Sequence, residues 1–182
     1  MDRRLRLDLT DSLTYWVKPG PDMERDFLDL LSRARIGGDK PPYVLGDSPI
    51  VGFTEVPLAL SAKLLSGAKD FGINYAPVGL LFERRWVYEH GGRPVIYQRA
   101  EEAALLPAAL LYRHVTLDFD QQIDFTWKRE WRIPTSALDL QQAPCRPVLP
   151  TAAWLDRARE ALVHEPAALA LLDRTVVLEH FL

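Results

Sequence analysis

The feature that most constrains the fold is the period-two alternation of DFTWKREWRIP, from Asp124 to Pro134. In an extended chain alternate side chains point to opposite sides of a sheet. Ile123, Phe125, Trp127, Arg129, Trp131 and Ile133 therefore share one face, and Asp124, Thr126, Lys128, Glu130 and Arg132 the other. Five of the six residues on the first face are large and apolar, which suits burial against helices or a second sheet. The second face is too polar for a core. Either it meets water, as one side of an antiparallel sheet commonly does, or it addresses a ligand.

The surrounding pattern sets the fold class. DSLTYWV reads as an early strand and KPGPD as a turn, and MERDFLDLLSRAR places Phe27, Leu30, Leu31 and Ala34 at helical spacing, with Gly37 and Gly38 as the stop. DKPPYVLGDSP has the composition of a loop. IVGFTEVPLAL is a short apolar strand broken at Pro57, followed by a helix over LALSAKLLSGA that Gly67 ends. YAPVGLLFERRWVYEHGGRPVIYQ reads as two strands, or a short helix and a strand, about the HGGRP turn. AEEAALLPAALLY is helix-prone and interrupted by Pro107. RHVTLDF, joined through DQQ to the opening stretch, is expected to pair with it. QQAPCRPVLP is a proline-rich connector, after which TAAWLDRAREALV forms a helix with Trp154, Leu155, Ala158, Ala161 and Leu162 on one side, and TVVLEHFL a last strand.

Strands and helices do not alternate regularly, so a doubly wound parallel sheet is disfavoured. The expected architecture is α+β, with a mostly antiparallel sheet, flanking helices and a C-terminal helical appendage. A chain of 182 residues suits a single domain, 1–182, with a core over 13–134 and a C-terminal helix and final strand over 151–182.

Composition and motifs remove several function classes. The formal net charge of −3 gives no global pull toward nucleic acid or an anionic membrane. The single cysteine, Cys145, allows neither a disulfide framework nor a cysteine zinc site. His90, His114, His164 and His180 lack the spacing of a helical ligand pair, so no metal is expected. No glycine-rich phosphate loop and no G-x-S-x-G elbow is present. The N-terminus lacks the apolar centre of a signal peptide and no apolar run approaches a membrane span, so the expected compartment is the cytoplasm.

What remains is a set of places where polar groups interrupt apolar strands: Tyr15 and Trp16 in LTYWV, Thr54 and Glu55 in FTEVPL, and Glu130 with Arg132 in KREWRIP. A fourth, FERRW, puts Arg84 and Arg85 between aromatics, where guanidinium forks suit a phosphate-bearing ligand or surface ion pairs. Taken in order, IVGFTEVPL, YAPVGLLFERRWVYEHGGRPVIYQ and DFTWKREWRIP resemble the bacterial abortive phage infection (AbiGi-like) family, over about Leu13 to Pro134. That family's arrangement is in turn similar to the ADP-ribosyltransferase fold, a split antiparallel sheet that clamps NAD.

The resemblance implies an early strand that recognises the adenosine ribose, a middle strand with a hydroxyl and a late strand with a glutamate. Carried onto this sequence, these places fall on Tyr15, Thr54 and Glu130. Glu130 is then the catalytic carboxylate, and Tyr15, Trp16, Thr54, Arg84 and Arg132 form the NAD-binding set. The sequence departs from the family pattern at LTYW, where Tyr15 stands in place of a histidine, and at Gly52, where a cysteine is common. Glu83 or Arg84 falls near the family's usual lysine.

Two further readings stand beside this one. In the first the chain is a non-catalytic, antitoxin-like module that binds a cognate toxin or antitoxin. Glu130 and Arg132 are then an ion pair, and Trp16, Trp86 and Trp127 build core or interface. In the second, which the net charge disfavours, Arg84, Arg85 and Arg93 contact nucleic acid.

Overall fold

Leu13, Thr14 and Trp16 are all buried. The strand that carries them, β1 (Ser12–Trp16), is enclosed on both faces and lies at the centre of the main sheet. The computed structural model describes residues 8–66 and 77–181. Along the chain β1 is followed by α1 (Met23–Ser32), β2 (Arg35–Gly37), β3 (Ile50–Thr54), α2 (Leu58–Ser66), β4 (Gly79–Glu83), α3 (Arg84–Glu89), β5 (Arg93–Pro94) and β6 (Ile96–Gln98). Two 3₁₀ segments, Ala100–Leu105 and Ala108–Arg113, lead to β7 (His114–Thr116). Then come β8 (Glu130–Pro134), β9 (Ala137–Asp139), β10 (Cys145–Leu149), α4 (Ala152–Ala161), α5 (Pro166–Leu172) and β11 (Val176–Val177).

Seven strands form one continuous open sheet in the order β11-β10-β4-β1-β3-β8-β5. Its neighbours are antiparallel except for β10 with β11. Two small sheets, β2-β9 and β6-β7, accompany it. The architecture is thus α+β and mostly antiparallel, as the irregular order of elements predicts.

The residues on one side of the sheet, among them Leu13, Phe53, Leu80, Phe82, Ile133 and Leu149, pack with Phe27, Leu30 and Leu31 of α1 and with Ala158, Leu162, Ala168 and Leu172. Trp16, Leu81 and Val148 on the other side pack with Leu58 and Ala62 of α2 and with Leu178. The C-terminal region is therefore built into the main core and sheet, where an appendage is expected. α5, to which the sequence pattern assigns no element, follows from Pro166 at its first turn and apolar residues at Ala168 and Leu172.

Several local expectations are corrected. The connector QQAPCRPVLP contains β10, a strand of the main sheet. Pro147 is tolerated there because β11 pairs only with Val148 and Leu149, so the missing N–H falls where the strand is still an edge. The first helix ends at Ser32 rather than at the glycine pair, because Ala34 turns the backbone left-handed at φ 46° and β2 begins. RHVTLDF does not form a ladder with the opening stretch. β7 runs parallel to β6, and only the Asp118–Ile123 bridge joins the two stretches. The final strand covers Val176–Val177 alone, and a 3₁₀ turn follows. The helix end expected at Gly67 lies outside the described residues.

Candidate functional site

The opening stretch is a strand only from Glu130 onward. Asp124 Oδ1 accepts hydrogen bonds from the Thr126 N–H at 2.8 Å and the Thr126 hydroxyl at 2.6 Å. This side-chain turn starts a 3₁₀ segment over Thr126–Lys128. Arg129 closes it in the left-handed region at φ 45°. The alternation is therefore broken before Glu130, and Phe125 and Trp127, expected in the core, are 43% and 39% exposed. The Lys128 ammonium lies 4.6 Å from the Phe125 ring centroid and 5.6 Å from that of Trp127. Burial holds its pKa below the usual lysine range, and the charge of Glu130 opposes that shift.

From Glu130 the register builds a transverse row. Thr14 on β1 faces Thr54 on β3, and Thr54 faces Glu130 on β8. Directly opposed residues point to the same side of a sheet, so the three share one face. Gly52 and Arg132 form the next pair along on that face. Trp16, two residues from Thr14, lies on it as well, buried against α2.

Arg132 is 1% exposed, the largest fully buried side chain among the described residues. A buried guanidinium must have its donors met, and three acceptors are at hand. Nε donates to Glu130 Oε1 at 2.7 Å, and Nη1 to the carbonyls of Tyr112 at 2.6 Å and His114 at 3.1 Å. Arg132 thus fastens the Ala108–Arg113 segment under β8 and fixes the Glu130 carboxylate. The Glu130 side chain remains 20% exposed. No described residue donates a hydrogen bond to its second oxygen, Oε2. The Glu130 N–H donates to the Tyr97 hydroxyl at 3.1 Å. Burial raises the Tyr97 pKa above the usual phenol range.

The other predicted residues separate. The Thr54 hydroxyl donates to the Lys128 carbonyl and accepts the Val56 N–H at 3.3 Å, so it closes the turn that precedes β8. Tyr15 points to the face opposite Thr54 and Glu130, because it is one residue out of phase with Thr14. There it packs against the main core, edge-on to Phe53 with centroids 6.4 Å apart. Burial first, then the nearby charges of Asp39 and Asp26, raises its pKa.

Arg84 donates to Glu55 Oε1 at 2.5 Å and to Asp11 Oδ1 at 3.0 Å. Glu55 Oε2 in turn accepts the Trp131 indole N–H at 2.9 Å. Glu55 is therefore a clasp between the start of α3 and β8. Arg84 and Trp131 line an open cleft of about 730 Å³ with Asp11, Ser12, Glu83, Arg85 and Tyr88. Glu130 does not line it. The other arginines of the nucleic-acid reading are also engaged: Arg85 with Glu89 at 2.8 Å, and Arg93 with the Tyr88 and Gly92 carbonyls and 4.1 Å above the Tyr88 ring.

The structure brings together Thr54, Glu130, Arg132 and Trp16 on one face, and sets Tyr15 and Arg84 apart. Thr14 is the partner that the motif reading misses. Counting the alternation outward from the apolar Leu13 places Thr14, rather than Tyr15, on the face of Thr54. No sequence pattern points to the hydroxyl of Tyr97. Comparison of the chain with family models, with curated proteins and with solved structures gives no match.

Proposed function

We propose that this chain is an ADP-ribosyltransferase-like, NAD-utilising protein of bacterial phage defence or of a toxin-antitoxin pair, acting through Glu130. The observation that carries the reading is the Glu130 carboxylate itself. It stands in a row with Thr54 and Thr14, one oxygen is held by the buried Arg132, and the other has no donor among the described residues. The resemblance of the motif strings to the AbiGi-like family and the mostly antiparallel α+β architecture support it.

NAD as substrate supplies a nicotinamide glycosidic bond whose cleavage develops positive charge on the ribose. A fixed carboxylate facing the ribose hydroxyls stabilises that charge without having to reorganise. Arg132 holds the carboxylate in a fixed orientation through its Nε hydrogen bond to Oε1. The fit is to the ribose. The diphosphate finds no open partner in Arg84, whose charge is already met by Asp11 and Glu55. Tyr15 has no part in this proposal, since it faces the opposite core.

Calorimetric titration with NAD, alongside turnover by the wild type and by Glu130→Gln, tests the reading. Binding by both proteins with a turnover loss of about hundredfold or more in the folded variant is expected. Undiminished turnover would remove Glu130 from the chemistry.

One observation favours the non-catalytic, toxin-binding reading: the polar groups of Thr54 and Arg132 are bonded inside the chain. That reading predicts a stable stoichiometric protein partner on purification from the native host, with no NAD turnover.

A further inference from the structure

AALLPAALL, over 103–111, contains no polar side chain. A run of this kind belongs inside a fold, yet much of it lies at the surface. Leu105 is 80% exposed, the most of any large apolar side chain among the described residues, and Ala104, Pro107, Ala108 and Ala109 are exposed as well. The backbone offers water little in return. The N–H groups of Leu106 and Leu110 bond to Ala103 and Pro107 at 3.1 and 2.8 Å, and Pro107 has no N–H to offer. The loop that carries Tyr43, itself 71% exposed, packs alongside: Val44 clusters with Tyr112, and a Cβ at Gly46 would fall 3.2 Å from that of Leu111. Arg132 fastens the far end through the Tyr112 carbonyl at 2.6 Å. The run is thus a fixed apolar ridge, a surface that monomeric chains rarely expose.

The charges at its two ends select the partner. At the N-terminal end Glu101 and Glu102 outnumber Arg99, whose guanidinium lies 3.6 Å from Glu101 and whose N–H donates to Glu102 at 2.7 Å. At the other end Arg113 Nε donates to the Pro94 carbonyl at 2.9 Å, and no carboxylate among the described residues pairs with its charge. One end is therefore acidic and the other basic. We propose that the ridge is the interface of a two-fold symmetric dimer of this chain. A two-fold axis through the middle of the run sets it antiparallel to its copy, so Glu101 and Glu102 of one copy meet Arg113 of the other, at both ends. Leu105 and the stretch from Pro107 to Ala109 then form a dry apolar centre, as homodimer interfaces do. An anionic lipid surface would be repelled by the two carboxylates, and a partner of one charge would match one end only.

Sedimentation velocity of the full chain across the micromolar range tests the proposal, with circular dichroism to establish that each variant is folded. The wild type is expected to dimerise and Leu105→Glu to stay monomeric, since it sets two carboxylates in the dry centre. Arg113→Glu and Glu101→Arg should each weaken the dimer about tenfold, because each places like charges together at both ends. An equimolar mixture of these two variants should regain the wild-type affinity. In the mixed dimer both ends again pair opposite charges, which a merely damaged fold cannot imitate. A monomeric wild type would overturn the proposal, whether or not it binds vesicles of equal parts phosphatidylcholine and phosphatidylglycerol. A dimer that survives Leu105→Glu would place the interface elsewhere. A mixture no tighter than either variant alone would remove the antiparallel pairing, and the proposed interface with it.

Discussion

Replacing Arg132 by methionine tests whether this arginine is the tether that the geometry describes. The substitution keeps most of the volume and removes three hydrogen bonds, to Glu130 and to the carbonyls of Tyr112 and His114. Bonds to a charged donor contribute about 1.5–3 kcal/mol each, so simple addition gives about 4.5–9 kcal/mol. Two effects reduce that figure. Methionine is more easily buried than a guanidinium, and the orphaned Glu130, 20% exposed, recovers part of its hydration.

The expected destabilisation is therefore about 3–5 kcal/mol, as for removal of one partner of a buried pair. That is a large part of the about 5–15 kcal/mol available to a typical domain. Equilibrium urea denaturation measures it, with the shift in the midpoint rather than in the slope. Adding Glu130→Gln to Arg132→Met should restore about 1–3 kcal/mol, because the stranded charge is then gone. A loss below about 1 kcal/mol in Arg132→Met would place the pair with ordinary surface ion pairs and refute the tether.

The remaining predictions concern neighbouring groups. Burial raises the Cys145 pKa above its ordinary 9.0, so this thiol's contribution to stability is complete below the unfolded value and is lost as pH rises through the folded one. Urea midpoints should fall with rising pH above about 8.5, and Cys145→Val should remove the part of the slope that precedes tyrosine ionisation near about 10. Glu55→Gln removes the charge facing Arg84 and should cost about 1 kcal/mol, with a shift in Trp131 emission; an unchanged spectrum and midpoint would contradict the clasp. Thr54→Val leaves the Lys128 carbonyl without its hydroxyl donor and should cost about 1–2 kcal/mol while speeding proteolysis between Thr126 and Arg129.

The sequence made the strands legible where apolar alternation was uninterrupted, as in LTYW and IVGFT, and α1 where Phe27, Leu30 and Leu31 recur at helical spacing. It misled where one side chain redirected the backbone. Asp124 binds the amide of Thr126, two residues on, so the alternation counted from Ile123 describes the backbone only from Glu130 to Pro134, where Trp131 and Ile133 do face one side and Glu130 and Arg132 the other. Pro147 signalled a connector because the pattern could not tell that its strand is paired on one side only at that point. Of the candidate site, Thr54, Glu130 and Arg132 were visible as polar residues in apolar strands. Tyr15 was assigned by motif position, and the phase set by buried Leu13 reverses its direction. The pairing of Arg132 with Glu130 was within reach, but its Nη1 partners were not, because they are main-chain carbonyls, which look alike in any sequence.

The central position of β1 has a consequence for how the chain acquires its fold. β1 leaves the ribosome before the other strands of its sheet, yet one neighbour in the sheet is β3 and the other is β4, and its full ladder from Ser12 to Trp16 forms only with Gly79–Glu83. Until that length of chain is made the edge of β1 that meets β4 stays open, and closing so long a loop carries its entropy cost before this ladder returns it. Nascent chains that stop short of β4 expose Leu13 and Trp16 on an open strand, the condition that favours aggregation and chaperone capture.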